Sequence, residues 1–143
     1  MLVDAVAVNI QINSHFANRV LQDSIEERLN DAFATAGMDT TVASLLRSGL
    51  DYSPGASAQR IVDFSLSFFA SFQLNHADLE TQEQIADFAA MINGAIEAGF
   101  ASAQNVLAGL CQIAPEVQAS IDETFELTIK GIEHFVSEQT QLL

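Results

Sequence analysis

The side chains with the most chemistry to offer are three histidines, one cysteine and a lone arginine in an apolar stretch. His15, His76 and His134 lie far apart, and no Glu-x-x-His pair of the di-iron bundle type accompanies them. His76 with Asp78 and Glu80 could hold a metal weakly at the surface, but a polar turn accounts for the same residues. Cys111 is the single cysteine, so it excludes an intramolecular disulfide and a thiolate-rich zinc site. With no basic residue or histidine near it in sequence, it reads as a small apolar filler rather than a nucleophile. A nucleophile elbow, a phosphate-binding Walker loop and a dinucleotide glycine fingerprint are all missing. The expectation is a chain that is not an enzyme, with no catalytic residues, no metal site and no cofactor.

Arg60 is the most informative charged residue, as the only basic side chain between Arg47 and Lys130. A guanidinium in apolar surroundings requires compensation, so the reading gives it a carboxylate partner. Asp63 is one turn away, and Glu97, Asp122 or Glu126 could approach from neighbouring helices. On that reading Arg60→Met costs roughly 3 kcal/mol or more, because the abandoned acid keeps its desolvation penalty. The alternative makes Arg60 the anchor for a carboxylate-bearing small molecule.

These residues need elements to position them. Ser53-Pro54 is a helix start, with serine suited to the N-cap and proline to the first helical position. After it, Ile61, Phe64, Ser65, Phe68 and Phe72 form one helical stripe, and Val62, Leu66, Phe69 and Gln73 form a second. A helix apolar nearly all round belongs at the centre of a bundle, so one helix from Ser53 to near Asn75 is expected to be central. Before it, Phe16, Val20, Leu21, Ile25, Leu29, Phe33 and Ala36 predict a helix closed by Gly37, with a possible restart at Asp23 and Glu26. A short helix is expected between Asp39 and Gly49. After the central helix, Thr81 with Gln84 matches a capping box opening a long helix with the stripe Ile85, Phe88, Ala89, Ile92, Ile96, Phe100, Ala103 and Leu107. Beside that stripe run Ala90, Gly94 and Ala98, with Ala95, Gly99 and Ala103 alongside. Glycine within a helix costs up to about 1 kcal/mol relative to alanine, so Gly94 and Gly99 point to a close helix crossing or, alternatively, to a ligand groove. Pro115 opens a last helix with Val117, Ile121, Thr124, Phe125, Thr128, Ile132 and Phe135 on one face.

Residues 1–12 read differently, because Val6, Val8, Ile10 and Ile12 alternate with Ala7, Asn9, Gln11 and Asn13. The segment lies extended across the bundle, pairs with another chain, or belongs to an early helix. The organisation expected is therefore an extended N-terminal arm over 1–12 and an all-α, single-domain bundle over 13–143, with four long helices and one short one.

Several stretches together resemble a bacterial family of uncharacterised all-helical domains, in which a Ser-Pro start precedes an Ala-x-Arg-Ile-Val helix. They are Asn9-Ile10-Gln11-Ile12, Ser53-Pro54, Ala58-Gln59-Arg60-Ile61-Val62, Phe68-Phe69, Asn75-His76, Ile96-Glu97-x-Gly99-Phe100-Ala101-x-Ala103 and Ile121-Asp122-x-Thr124-Phe125-Glu126-Leu127-x-x-Lys130-Gly131. Gly55 stands where the resemblance leads us to expect glutamate, which bears only on cap strength. The resemblance implies a helical fold and no assigned activity.

Composition narrows the partners. The chain has 143 residues, enough for one domain that buries roughly two thirds of its unfolded surface, and 49% of them are hydrophobic. Five Lys and Arg against nineteen Asp and Glu give a formal charge of -14, which repels nucleic acid and anionic lipid. The apolar windows around 61–72 and 85–101 are interrupted by Asp63, Asp87 and Glu97, and Met1 to Ile12 lacks a basic start, so neither a membrane span nor a signal peptide is expected. By elimination, the sequence reads as a cytoplasmic interaction module that binds a protein partner or itself, as in a homodimer, with Arg60, Gly94 and Gly99 as candidate anchors. The alternative is a small-ligand binding protein with a Phe-lined pocket between the central helix and the helix rich in Ala and Gly.

Overall fold

The computed structural model describes residues 13–38, 51–110 and 112–143. The arm over 1–12, the short helix expected between Asp39 and Gly49, and Cys111 lie outside the described residues. Within them the fold is all-α: α1 (Ser14–Thr35), α2 (Pro54–Leu66), α3 (Phe69–Asn75), α4 (Thr81–Leu110) and α5 (Pro115–Gln141).

Local chemistry sets the helix ends. Asn13 is the N-cap of α1, its side-chain oxygen accepting from Phe16 N at 2.8 Å. The helix runs on without the restart considered at Asp23, and Gly37 ends it at φ +84°. The Gly37 N–H donates to Ala34 O and the Met38 N–H to Phe33 O, the paired bonds of a Schellman ending. Pro54 and Pro115 occupy the first turns of α2 and α5 as expected. Ser53, however, makes no side-chain cap. Instead Asp51 accepts the Ser53 N–H at 2.8 Å and fixes the approach to the helix.

Two expectations about the apolar middle of the chain are corrected. The single helix from Ser53 to Asn75 is broken at Ser67 and Phe68 into α2 and α3. Ser65 Oγ donates to Ile61 O at 2.7 Å and Ser67 Oγ to Phe64 O at 2.6 Å, so two hydroxyls compete for carbonyls of the last turn. The bend lets Phe68 and Phe72 both enter the core, where Phe68 stacks on Phe33 at 4.1 Å and Phe72 tilts against Phe88 at 5.2 Å. Nor is the Ser53 helix the centre of the described bundle. That place belongs to α1, which packs against α2, α4 and α5. Its Ala17, Leu21, Ile25, Leu29 and Phe33 are all fully buried, and so are Asn18 and Gln22 beside them.

The capping box at Thr81 is also replaced. Thr81 is already the first helical residue of α4, and Gln84 is buried. Its Nε2 donates to His76 O at 2.8 Å, and its Oε1 accepts from Gln73 Nε2 at 3.2 Å, so the side chain ties α4 to the end of α3. His76 serves the same corner: its ring stacks on Phe72 at 4.0 Å with Nδ1 2.9 Å from Phe72 O. That engagement makes it part of the turn.

The helix α4 runs antiparallel to α1, since Gly99 meets Ile25 while Phe88 meets Phe33. It also runs antiparallel to α5, where Gln104 and Gln118 exchange amide hydrogen bonds at 2.9 and 3.2 Å and Phe100 meets Phe125. No helix among the described residues is long and apolar enough to cross a membrane.

Candidate functional site

Arg60 projects from α2 towards α1, and neither of its described hydrogen bonds goes to a carboxylate. Its Nε donates to Gln22 Oε1 at 3.0 Å, a second guanidinium nitrogen donates to the backbone carbonyl of Asp51, and the group lies 5.0 Å from the centre of the Tyr52 ring. Of the candidate carboxylates, Asp63 accepts from Gln59 Nε2 at 2.9 Å on the exposed side of α2, Asp122 accepts from Gln118 and Glu126 pairs with Lys130, while no described hydrogen bond joins Glu97 to Arg60. Arg60 therefore fastens the 51–53 segment to the bundle. It does so from the edge of a polar seam between α1, α2 and α5. There Asn18 Nδ2 donates to Tyr52 O at 3.1 Å and to Ser120 Oγ at 3.0 Å, and Thr124 Oγ1 donates to Asn18 Oδ1 at 2.7 Å. Two polar atoms of the seam, Gln22 Nε2 and Ser57 Oγ, have no hydrogen-bond partner among the described residues.

Asp51 carries the resolved electrostatic perturbation of this corner. The Ser53 backbone N–H holds its carboxyl below the ordinary aspartate range, the Ser53 side chain adds to this, and the charges of Arg60 and His15 contribute less. His15 packs edge-on against Tyr52 at 4.7 Å.

The two candidate glycines part company. A Cβ on Gly99 would lie 2.5 Å from the Cα of Ile25, so the close crossing of α1 and α4 requires this glycine. Gly94 is exposed, and a Cβ there would meet nothing within 4 Å. The row Ala95, Gly99 and Ala103 is buried, whereas Ala90 and Gly94 face outwards. A second close approach falls at Gly131 on α5, where a Cβ would lie 2.6 Å from Val62 Cγ2 of α2. Sequence reasoning missed this one because Gly131 is isolated, with no row of small residues around it.

Between α1, α2, α3 and α4 the rings of Phe33, Phe64, Phe68, Phe69, Phe72 and Phe88 pack on one another. Three concavities open at the surface of the described residues. One of about 350 Å³ separates α2 from α5 beside Gly131, and one of about 460 Å³ separates α1 from α4 between Arg28 and Met91. The third, about 490 Å³, lies between α4 and α5 and is lined by Phe100, Phe125 and Ile129 with Asp122, Glu126, Lys130 and Glu133. Arg60 lines none of these three grooves.

In the predicted stripes of α4 and α5 every residue is buried except Phe100 and Phe125. Those two rings lie 4.5 Å apart, both partly open to solvent. Apolar periodicity in sequence could not separate them from core positions, because a groove floor and a core follow the same spacing.

The sequence profile of DUF5610, a domain of unknown function, matches residues 16–135, and the chain belongs to that family. No curated protein and no solved structure matches the chain.

Proposed function

We propose that this DUF5610 domain is a non-enzymatic helical interaction module of the bacterial cytoplasm that binds a protein partner through its surface. The observation that carries the reading is the pair Phe100 and Phe125. They continue two otherwise buried stripes but form the floor of an open groove. Both rings are already partly buried against the core, and a protein partner that seats against them covers the apolar surface that stays open. Of the three histidines, His76 is engaged with the Phe72 ring and carbonyl, His15 packs edge-on against Tyr52, and His134 lies exposed 3.4 Å from Glu138.

The test is affinity capture from cell extract with the full chain as bait, alongside Phe125→Ser and Arg60→Met baits whose folding is checked by circular dichroism. The proposal expects a protein retained by the parent and by Arg60→Met but lost with Phe125→Ser. Capture that depends on Arg60 and is indifferent to Phe125 overturns it.

A further inference from the structure

We infer that the groove between α4 and α5 docks a basic amphipathic helix of a partner protein. This rests on the reading of the domain as an interaction module and names the partner's chemistry. Along α5 the lining residues Asp122, Phe125, Glu126, Ile129, Lys130 and Glu133 span three turns, about 17 Å of helix axis at 1.5 Å per residue. Apolar positions at 125 and 129 alternate with carboxylates at 122, 126 and 133, and Phe100 of α4 closes the floor. That length and spacing suit a helix whose apolar anchors recur every three or four residues.

The rim decides the sign of the partner. Three carboxylates face one ammonium, and Lys130 is committed to Glu126 at 3.0 Å in a pair whose side chains are 64% and 67% exposed. Asp122 accepts from the neutral amide of Gln118 at 2.8 Å, which leaves its charge uncompensated. The other two grooves differ. The α1–α4 groove sets Arg28 beside Asp31 and has no aromatic ring, while the α2–α5 groove carries two carboxylates, Asp63 and Glu138, with His134 beside the latter, but a single phenylalanine, Phe135. Only the α4–α5 groove of the three joins two aromatic rings to an excess of negative charge. Lysine and arginine suit it twice over, because their aliphatic stems cover apolar surface while their heads reach carboxylates. A second copy of this chain brings nineteen acids and five basic residues, and is repelled. Anionic lipid and nucleic acid are repelled for the same reason.

The probe is a synthetic amphipathic helix of about four turns with leucines at three- and four-residue spacing flanked by lysines, compared with the same peptide carrying glutamates. Binding is followed by amide chemical shifts on the full-length chain. The inference expects the lysine peptide to shift resonances around Phe100, Phe125 and Ile129, with the glutamate peptide at least about tenfold weaker. It also expects the double variant Asp122→Lys, Glu133→Lys, both at exposed sites and checked for folding by circular dichroism, to lose at least about tenfold in affinity. Equal binding of both peptides in the groove overturns the charge selection while leaving the groove an interaction surface. Shifts scattered over the acidic exterior, or none, overturn the docking site itself. A concentration-dependent dimer in light scattering that the double variant dissolves assigns the groove to a second copy and overturns the inference too.

Discussion

Arg60 shows what a single residue's setting can hide. Its isolation in an apolar helix marked it as structurally demanding, yet its partners are the amide of Gln22 and a backbone carbonyl of Asp51. Neither bonding group carries a charge, and although the Asp51 carboxylate feels the guanidinium, the bond itself goes to the backbone, which a pattern of side-chain charges does not name. The expected cost of removal changes accordingly. Arg60→Met leaves the fully buried Gln22 oxygen without its donor, a loss of about 1–3 kcal/mol rather than the larger penalty of an abandoned acid. Chemical denaturation of the variant checks this, and a loss well above that range reinstates a buried carboxylate partner. Asp51 gives a second prediction at the same scale. Its carboxyl is held below the ordinary aspartate range in the folded chain, so it contributes stability that is present above the unfolded pKa and is lost as pH falls through the folded one. Asp51→Asn should therefore melt below the parent near neutral pH, and the gap should begin to narrow below about pH 4 and vanish only as pH falls through the lower, folded-state value. Thermal melts across that range decide it; a gap that does not change with pH removes the carboxylate from the account.

At the scale of elements, the helices were legible because their apolar stripes and punctuation agree. Gly37, Pro54 and Pro115 stand at helix ends, the stripes of α4 and α5 are buried nearly throughout, and that of α1 is buried from Leu21 to Phe33, with Phe16 exposed at its start. The break between α2 and α3 was not, because Ser65 and Ser67 look like ordinary polar positions until their hydroxyls are seen bonding to carbonyls of the preceding turn. Centrality was misread for a related reason. Apolar residues around the whole circumference suggested the middle of the bundle, but the bend distributes the burial of α2 and α3, and α1 takes the centre with polar Asn18 and Gln22 among its buried residues.

The glycines of α4 test helix packing directly. Gly99→Ala places a methyl against the Ile25 backbone and should destabilise the domain by about 1–3 kcal/mol, since backbone cannot move aside cheaply. Gly94→Ala meets open space and should stabilise it by up to about 1 kcal/mol through helix propensity. Urea titrations of both variants read the contrast, and equal effects would mean that α1 and α4 do not cross at Gly99.

For the whole molecule, the architecture concentrates its order inside and its unmet needs outside. Six of the ten Phe are buried and pack ring on ring, while Phe100 and Phe125 remain at a surface groove beneath an acidic rim. Neither the groove nor its sign could be read from periodicity or from the overall charge of -14, because both depend on how α4 lies against α5. The account's central claim is that this domain acts through its surface and keeps no small molecule within it. Native mass spectrometry of the full chain, purified gently from cells, measures that most directly. The account predicts the mass of the chain alone or with a protein bound; a stoichiometric small-molecule adduct that survives purification would contradict it.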